Sequence, residues 1–547
     1  MTTSSSVAID SAELFDRAVK WLSIGERDSR WIRAAFILAA VLYLIFIGAA
    51  ETGPINEYGH DVFLLLDGGW RIVNGQVPYR DFYLSLGPLE YMITAFGMLL
   101  THGSTQGIAV GNVVFGAVVG TWGWFLSRLR MPAIPALLAT AWLILTATLP
   151  TPLGVSPQVL SCAMIYNRHG YALLGIVLVE CAFASERSRF WGGVSSGIAL
   201  ALMAFLKLNF FGVAGLLLLA TMPLRREEMP RAWGIVLGMA GTVAPFVFYL
   251  RFAISAFFYD MQLTVQARSS TLGFVGTTAL LVGNPRVVTV AILTLVAILL
   301  IARNLIWQRH SVRLFLLGGV VIAAVALFTY TNCDDSGDEL TVLWELVLLG
   351  VLTAAYPRCK EKVAVAAVIA LSLGMVLSDF FMDAESAKRL LHYQSAEVRS
   401  QGISINHSGM DRLRFYECYR DDSDFGNDNG HFIVGYVNDG LTMLENSSSQ
   451  NESVLTLGYI NPFAYILRRK PALGGSPWLT IGNNIPSAHS LDESLVFGNA
   501  DLLMLPNYPN SNREGEIDLA DAYRPYIAQH FDFVASSQWW SLYRRKR

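Results

Sequence analysis

Acidic and aromatic side chains are concentrated in one segment of the 547-residue chain, between two long apolar stretches. In this segment, residues 51–106, the acidic residues considered for chemistry are Glu57, Asp61, Asp67 and Asp81, and the aromatic residues among them are Trp70, Tyr79, Phe82 and Tyr83. A segment that only connected two helices could be short and polar, so this composition predicts a folded site. A carboxylate partly buried at such a site can act as a general base, because burial raises its pKa towards the working range.

Asp61 is the first candidate for that base. It follows His60, precedes the apolar run at residues 62–66 and comes shortly after the first apolar stretch. This position predicts a carboxylate at the outer membrane surface, partly removed from water. The alternative role is the N-cap of a helix predicted over residues 62–73, since Asp is a favoured N-cap residue, and the two roles can coexist.

The alternative bases in the same segment are Glu57, Asp67 and Asp81. Asp67 does not follow Asp61 at the spacing of three or four residues that brings side chains to one helix face, so it is predicted to be a solvated or supporting residue. Asp81 is expected to pair with Arg80 or Arg71 and to fix the turn in which it lies. The spacing therefore favours Asp61.

Two basic residues next to apolar segments are candidates for binding a phosphate. Arg168 lies at the outer end of a predicted span, and its guanidinium presents a fork of donors that suits phosphate oxygens. Lys207 lies among apolar residues, where an ionised side chain costs about 2.5–3.5 kcal/mol and favours an anionic partner such as a lipid headgroup. For both residues the alternative is a stem buried in the membrane with its charged head at the interface.

Other polar residues on the same side are predicted to contact substrate or solvent. The predicted substrate contacts are Tyr79, Arg80, Asp81, Asn167 and His169. Residues of two further loops are expected to be solvated, with substrate or metal contact as the alternative: Asp260, Gln262, Gln266, Arg268, Asp334, Asp335, Asp338 and Glu339. The second loop lacks the spacing of a calcium-binding loop, so no metal ligands are assigned and a divalent cation stays an open alternative.

The composition predicts a multi-pass α-helical membrane protein. The chain is 53% hydrophobic with a mean hydropathy of +0.43, and 15% of its residues are charged, against roughly 25% in soluble domains. Uncharged windows long enough to cross a hydrocarbon core of about 30 Å recur along it. They predict about eleven spans, at residues 32–50, 107–127, 133–150, 170–184, 190–206, 209–223, 232–252, 286–302, 313–330, 340–356 and 363–379.

The basic loops set the predicted orientation. Short loops rich in Lys and Arg lie on the cytoplasmic side. After the N-terminal segment, the basic residues of these loops are Arg128, Arg130, Arg187, Arg189, Arg225, Arg226, Arg231, Arg303, Arg309, Arg313, Arg358, Lys360 and Lys362. The acidic segment, the loops at residues 151–169 and 253–285, and the C-terminal region are then outside the cytoplasm. The first apolar run begins too late for a cleaved signal peptide and is predicted to remain as an anchor.

The chain divides into three predicted regions: a cytoplasmic segment at residues 1–31, a membrane domain at residues 32–380, and an extracytoplasmic soluble α/β domain at residues 381–547. The last region becomes polar, with β-type runs at residues 453–460, 478–481, 501–506 and 531–535. Within the membrane domain, the apolar run at residues 88–100 is too short to cross and is predicted to be an interfacial helix. Residues 204–211 predict two spans or a broken hairpin around Lys207.

Several functional classes are excluded by what the sequence lacks. The net charge of −3 and the absence of a basic aromatic surface argue against nucleic acid as a partner. The five cysteines form no CxxC pair. No Walker motif, no GxGxxG after a strand, no HExxH and no GxSxG occurs, which argues against an ATPase, a dehydrogenase, a zinc protease and an α/β-hydrolase. The energy for any group transfer must therefore come with the donor.

The first outer segment resembles that of GT-C-type membrane glycosyltransferases, especially the polyprenyl-phosphate-sugar-dependent mannosyltransferase and aminoarabinose-transferase-like group. The residues that carry the resemblance run from Asp61 through Trp70-Arg-Ile-Val-Asn-Gly-Gln-Val-Pro-Tyr-Arg-Asp-Phe82 to Gly87-Pro-Leu89, and the likeness extends over about residues 30–380. An acidic residue early in this loop is taken as the base in that group, and Asp61 matches it by position. The group often has an Asp-Glu pair where this chain has Asp61-Val62, which keeps Glu57 open.

The resemblance implies an integral membrane glycosyltransferase of a bacterial inner membrane. It would transfer a sugar from a polyprenyl-phosphate-linked donor to a glycan, lipid or protein acceptor by an inverting displacement. Asp61 would be the base, Arg168 and Lys207 would bind the donor phosphate, and the C-terminal domain would lie over the site. The alternative is a polyprenol-linked lipid flippase or a small-molecule transporter, for which matching broken spans in two halves are typical, and the sequence has no such symmetry.

Overall fold

The computed structural model describes residues 17, 19–22, 30–50, 53–151, 156–183, 189–222, 226–268, 283–303, 308–331, 338–417, 430–482, 484–486, 491–507 and 519–547. Its helices are α1 Arg30–Ala49, α2 Asp61–Val73, α3 Pro88–Leu100, α4 Gly107–Arg128, α5 Ala133–Thr148, α6 Ile165–Ala182, α7 Arg189–Ala204, α8 Leu208–Thr221, α9 Met229–Tyr249, α10 Ile254–Arg268, α11 Pro285–Arg303, α12 Gln308–Thr331, α13 Asp338–Ala355, α14 Lys362–Tyr393, α15 Ala396–Arg399, α16 Gly430–Ser447, α17 Phe463–Ile466, α18 Glu493–Phe497 and α19 Arg524–His530. Of the predicted loop residues, Asp334 and Asp335 lie outside the described part of the chain, as does most of the N-terminal segment.

Every predicted span coincides with a helix, namely α1, α4 to α9 and α11 to α14. Seven of these helices are long and apolar enough to cross a membrane by length and composition: α1, α4, α9 and α11 to α14. The other four, α5 to α8, are shorter or more polar, and α6 is buried along almost its whole length. The chain is therefore a multi-span helical protein, and the count of eleven spans stays a prediction.

Helices α7 and α9 are in unusually close contact because glycines face each other across them. A Cβ atom added at Gly193 would lie 2.2 Å from the Arg231 carbonyl oxygen, and one at Gly197 would lie 2.2 Å from the Ile235 oxygen. On the other helix, a Cβ at Gly234 would lie 2.2 Å from the Phe190 oxygen. Small residues spaced four apart let two membrane helices approach backbone to backbone, and these glycines do so from both sides.

Gly197→Ala is expected to lower the melting temperature of the purified protein, because backbone atoms cannot move aside and overpacking costs about 1–3 kcal/mol. Gly241→Ala is the matched control, since a Cβ at Gly241 meets nothing within 4 Å. In that control, alanine should raise helix stability by up to about 1 kcal/mol. Equal melting temperatures for the two variants would show that the close approach does not limit stability.

The apolar stretch around Lys207 is a broken hairpin. α7 ends at Ala204, α8 begins at Leu208, and Lys207 between them is extended, with φ −163°. The break exposes backbone carbonyls that the outer segment uses: Gly87 N donates to Leu206 O at 3.0 Å and Leu89 N donates to Phe205 O at 2.9 Å. The N-terminus of α3 is thereby fixed next to Lys207.

The C-terminal region contains one four-stranded sheet with the order β1-β2-β4-β3. The strands are β1 Val454–Thr456, β2 Leu502–Pro506, β3 Phe531–Ser536 and β4 Trp540–Arg545. β1 and β2 are parallel, and β4 is antiparallel to both β2 and β3. The predicted strands at 453–460, 501–506 and 531–535 are confirmed, the first as a shorter element. The predicted strand at 478–481 is wrong, since only Ile481 forms an isolated bridge there, and β4 was missed.

The C-terminal domain shares its core with the outer segment. One cluster of buried side chains combines Val62, Phe63 and Leu66 of α2 with Phe415 and Phe463 from the C-terminal half. In addition, α14 continues through the predicted domain boundary at residue 380 as far as Tyr393. The first outer segment is therefore held from both sides, by the membrane helices below it and by the C-terminal domain above it.

Candidate active site

Asp61 is the first residue of α2, and the loop before it is held by backbone hydrogen bonds. Asn56 N donates to Leu160 O at 3.1 Å, and Leu160 N donates to Asn56 Oδ1 at 2.8 Å. Tyr58 has a positive φ of 52°, a strained conformation for an aromatic residue. Such strain is typical of positions that the surrounding structure over-determines, and here it directs the chain into α2.

The predicted N-cap role of Asp61 is wrong. His60 occupies the N-cap position, and no side chain caps the helix. The Asp61 side chain retains 16% of its accessible surface, and its Oδ1 lies 3.4 Å from His60 Nε2. As the first helical residue, Asp61 also benefits from the positive end of the helix dipole.

Two groups from other elements lie within electrostatic reach of the Asp61 carboxylate, Cys162 and Tyr91. Burial raises the pKa of the Cys162 thiol to about 12, and the charges of Asp61 and Glu90 act in the same direction. Burial likewise raises the pKa of Tyr91 well above its usual value, with Tyr166 and Asp61 among the groups that reinforce the shift. Asp61 is therefore near the loop before α6 and the first turn of α3, both of which are buried there.

Lys207 lies at the break between α7 and α8. Its Nζ donates to Asn167 Oδ1 at 2.9 Å and lies 4.9 Å from the centre of the Tyr166 ring. Asn167 is buried, and its Nδ2 has no hydrogen-bond partner among the described residues. The amide oxygen thus holds the ammonium, while the amide NH₂ remains available to a ligand. Lys207, a predicted phosphate ligand, and Asn167, a predicted substrate contact, are therefore in direct contact.

Arg168, predicted to bind the donor phosphate, instead binds carbonyl and hydroxyl oxygens of the protein. Its Nε donates to Thr146 O at 2.9 Å, its Nη1 to the carbonyl and hydroxyl of Thr151 at 2.8 and 3.0 Å, and its Nη2 to Leu145 O at 3.2 Å. These acceptors are at the C-terminal end of α5, where carbonyls lack helical partners. Four of the five donor hydrogens of the guanidinium are thereby occupied. Arg168 fixes the end of α5 and is not arranged to bind a phosphate.

His169 is fully buried and pairs with a carboxylate that the sequence did not single out. Its Nδ1 lies 2.7 Å from Glu90 Oε2, and its Nε2 lies 3.2 Å from Ala147 O. Because a carbonyl only accepts, Nε2 carries a hydrogen and the Nδ1–Glu90 contact shares one further proton. Glu90 Oε1 has no partner in the described part of the chain. Both side chains of the pair are fully buried, and the substrate contact predicted for His169 stays a prediction.

Asp67 is neither solvated nor available as a base. Its Oδ2 accepts from Arg71 Nε at 2.7 Å, its Oδ1 accepts from Asn461 Nδ2 at 3.2 Å, and both ion-pair partners are fully buried. Burial raises the pKa of Asp67, and Arg71 opposes that shift. Arg71 Nη1 also donates to the carbonyl oxygens of Ala472 and Gly474. Asp67 is therefore part of the connection between α2 and the C-terminal domain.

The turn around Asp81 is also structural. Asp81 accepts two hydrogen bonds of 2.8 Å from Arg80 and one of 2.7 Å from Val77 N, which confirms the predicted pairing with Arg80. The bonds from Arg80 and Val77 lower the pKa of Asp81 despite its partial burial. The Tyr79 hydroxyl donates to Leu86 O at 2.7 Å. These three predicted substrate contacts have protein partners. Glu57 and Asp67 are buried, and the Asp61 side chain is slightly more exposed than that of Asp81, so Asp61 is the most exposed of the four candidate bases.

Several residues of the site escaped the sequence analysis. Glu90 and Tyr91 lie in an apolar run that has no polar pattern, and Tyr166 is an aromatic residue near a span end, where aromatic residues are common. From the C-terminal domain, the Tyr459 ring packs edge-on against His60 at 4.6 Å, and Trp478 lies 5.9 Å beyond it. Within the described residues, no group of three or more His, Cys, Asp or Glu side chains is placed to hold a metal ion.

Two crystal structures of one protein are similar to the chain at low sequence identity and low TM-score. No family model and no curated protein sequence matches it. It is similar to ArnT from Cupriavidus metallidurans in the apo state, with 12% sequence identity, a TM-score of 0.44 and coverage of 95% of this chain and 98% of that chain. The crystal structure of the same protein bound to undecaprenyl phosphate gives 13% identity, a TM-score of 0.42 and coverage of 94% and 98%.

Asp260, predicted to be solvated, is buried beneath the outer segment. It lies on α10, and its Oδ2 accepts from Leu84 N at 3.1 Å, while Thr264 on the same helix donates to Ser85 O. Burial raises the pKa of Asp260 to about 8, and the hydrogen bond from Leu84 opposes this shift. α10 thus supports the turn that leads into α3.

The unmodified protein is expected to lose stability as the pH rises from about 4 to about 8, because the buried Asp260 carboxyl must ionise. Asp260→Asn is expected to remove this loss. The unfolded carboxyl ionises near pH 4, whereas the folded one ionises near 8. Between these values the folded protein binds more protons than the unfolded chain, so its stability falls as the pH rises through this window and is constant above it. The melting temperature of the variant relative to the unmodified protein should therefore increase from pH 5 to pH 8.

Asp532→Asn is the control for this pH dependence, because the Asp532 side chain is largely exposed. Its melting temperature should follow that of the unmodified protein at both pH values. An Asp260→Asn variant whose difference from the unmodified protein is the same at pH 5 and pH 8 would contradict the assignment of a buried, neutral carboxyl.

Proposed function

We propose that the protein is a membrane glycosyltransferase that moves a sugar from a polyprenyl-phosphate donor to an acceptor hydroxyl outside the cytoplasm, with inversion at the anomeric carbon. The observation that carries this proposal is that a partly exposed carboxylate, Asp61, lies within electrostatic reach of Tyr91, and that the ammonium of Lys207, held by Asn167, lies over the Tyr166 ring, which is itself within electrostatic reach of Tyr91. A displacement of this kind needs a proton acceptor on one side of the reacting carbon and stabilisation of the departing phosphate on the other.

In the proposed reaction Asp61 removes the proton from the acceptor hydroxyl. The acceptor oxygen forms a bond to the anomeric carbon, the bond from that carbon to the phosphate oxygen breaks, and its electron pair leaves with the polyprenyl phosphate. Lys207 neutralises this developing charge, and the free Asn167 NH₂ donates a hydrogen bond to the donor. The donor supplies the energy, so the chain needs no nucleotide site.

The neighbours of Lys207 explain how it can remain charged in apolar surroundings. An ammonium at membrane depth is costly without partners. Asn167 and the face of the Tyr166 ring provide two. A lipid phosphate would add an anionic partner for the ammonium. The phosphate-binding role predicted for both Arg168 and Lys207 is proposed here for Lys207 alone.

The C-terminal domain completes the proposed site by covering it. Tyr459 packs on His60, the residue before Asp61, so the C-terminal domain contacts the chain at the start of α2. Exclusion of water strengthens electrostatic interactions in the site. The acceptor, a glycan, a lipid or a protein, would enter between this domain and the membrane helices.

Binding of undecaprenyl phosphate tests the proposal without knowledge of the sugar, because a polyprenyl phosphate is the product of every such donor. We expect Lys207→Met to weaken its binding to the protein in nanodiscs by about 10- to 100-fold, since a charge-assisted hydrogen bond contributes roughly 1.5–3 kcal/mol. Lys388→Met is the matched control, because the Lys388 side chain is 75% exposed on the extramembrane end of α14. Unchanged binding in Lys207→Met would refute the proposed phosphate site.

A further inference from the structure

A second cluster of charges lies at the opposite end of α6 from Asn167. Glu180 is in the last turn of that helix, and a rise of about 1.5 Å per residue places it roughly 20 Å from Asn167 along the helix axis. The arginines around it are Arg130, Arg189, Arg231 and Arg313, all from the loops predicted to be cytoplasmic. The proposed transfer reaction uses none of them.

Arg231 is the centre of this cluster and has too few partners. It is fully buried in the first turn of α9, at the close contact with α7. Its Nη2 donates weakly to Cys181 Sγ at 3.5 Å, whereas its Nε and Nη1 have no hydrogen-bond partner among the described residues. Three donor hydrogens of a buried cation are thus directed at no acceptor, which is unfavourable unless a ligand supplies one.

The nearby carboxylates do not satisfy Arg231. Glu180 is bound by Arg130, whose Nη2 lies 2.7 and 3.1 Å from its two carboxyl oxygens. Glu228 lies 4.0 Å from Arg189 Nε. The positive charge of Arg231 acts on Glu180 electrostatically, but no hydrogen bond joins the two side chains.

Arg313 adds a further positive charge to this cluster. It lies within electrostatic reach of Arg231, Arg189 and Glu228. Among the described residues, four guanidinium groups therefore accompany three carboxylates, those of Glu180, Glu227 and Glu228.

The surroundings of the cluster are those of a membrane interface. Trp191 and Trp233 lie beside it on α7 and α9, and both rings are largely exposed. Exposed tryptophans are enriched at the level of lipid headgroups. The side chains of Arg189 and Glu228 also retain some exposure, so the cluster reaches the protein surface at that level.

We propose that this cluster is a binding site for the phosphate of an anionic phospholipid in the cytoplasmic leaflet, with Arg231 and Arg313 as its principal contacts. A phosphodiester offers the acceptor oxygens and the negative charge that Arg231 lacks, and guanidinium groups bind phosphate through paired hydrogen bonds. Basic pockets between helices on the cytoplasmic side are a known mode of headgroup recognition. The lipid would stabilise the α6, α7, α9 and α12 ends, independently of the transfer site.

The test compares the melting temperature of the delipidated protein after addition of phosphatidylglycerol, phosphatidylcholine or inorganic phosphate. We expect phosphatidylglycerol to raise it by several degrees more than the other two, because a ligand that binds only the folded state stabilises it. Arg231→Met should lose this difference and Arg313→Met should reduce it. Arg303→Met should retain it, since the Arg303 side chain is 78% exposed at the end of α11.

Each other outcome overturns the proposal. Equal shifts with both lipids would show that no anionic headgroup is recognised, and an equal shift with inorganic phosphate would make the ligand a free anion. If Arg231→Met does not fold, Arg313→Met provides the test. A melting-temperature shift with phosphatidylglycerol that exceeds the other two shifts as much in Arg313→Met as in the unmodified protein would refute the site. Undecaprenyl phosphate binding should be unchanged in Arg313→Met, so failure of this proposal is distinguishable from failure of the proposed function.

Discussion

Asp61→Asn is expected to lower the rate of sugar transfer by about 10²- to 10⁴-fold, the usual contribution of a positioned general base. Asparagine keeps the size of the side chain and its position at the start of α2, but its amide cannot accept the hydroxyl proton. The measurement is transfer from lipid-linked sugars that are metabolically labelled and extracted from host membranes, with purified protein. The melting temperature should change little, because Asp61 does not cap the helix.

Asp81→Asn serves as the comparison in the same outer segment. Asp81 is bound by Arg80 and Val77 N, so its substitution should loosen the turn while most of the transfer rate remains. Full activity in Asp61→Asn combined with loss in Glu57→Gln would move the base to the remaining alternative. Absence of any transfer by the unmodified protein, together with movement of the lipid-linked sugar across the membrane, would favour the flippase.

Asp67→Ala is expected to destabilise the protein by about 3–5 kcal/mol, because it leaves the Arg71 guanidinium buried without its carboxylate. Arg71 connects α2 to the carbonyls of Ala472 and Gly474. The loss should therefore release the C-terminal domain from the outer segment before the membrane helices unfold. Limited proteolysis, followed by thermal unfolding, would detect this as earlier cleavage between residues 394 and 460.

The double variant Asp67→Leu with Arg71→Met provides the sharper comparison. Replacement of both members of a buried ion pair by apolar side chains is often nearly neutral, so the double variant should be more stable than Asp67→Ala. Arg524→Met breaks an ion pair of the same domain whose two side chains are mostly exposed, and it should cost no more than about 1 kcal/mol. A double variant as unstable as the single one would mean that the ion pair does not account for the effect.

The helices of the membrane domain were predictable, and the partners of the charged side chains were not. Apolar runs gave every span helix, and the turn at Asp81 followed from its neighbour Arg80, because both features depend on residues close in sequence. Arg168 resembled a phosphate ligand by its position at a span end. Its true acceptors are carbonyls at the end of α5, which only the packing of α5 against α6 brings within reach.

In the C-terminal domain, too, local sequence predicted some elements but not those that depend on distant partners. Its predicted strands were those with continuous β-type runs, whereas β4 has arginines and a serine along its length and forms because β2 and β3 both pair with it. The Asp67–Arg71 pair was also visible as an i, i+4 spacing, but nothing local indicated that it would be fully buried. That burial depends on carbonyls some four hundred residues later in the chain.

The sequence by itself determined the class of the protein and the order of its apolar helices. Within a membrane the backbone must satisfy its own hydrogen bonds, so the length and hydrophobicity of each segment are enough to specify a helix. Only the tertiary structure decided which partners the ionisable groups have. A buried charge is stable only beside a partner, and tertiary packing buried the Asp67–Arg71 pair, gave carbonyl partners to Arg168 and gave a carboxylate to His169, whereas Asp81 pairs with Arg80, its neighbour in the sequence.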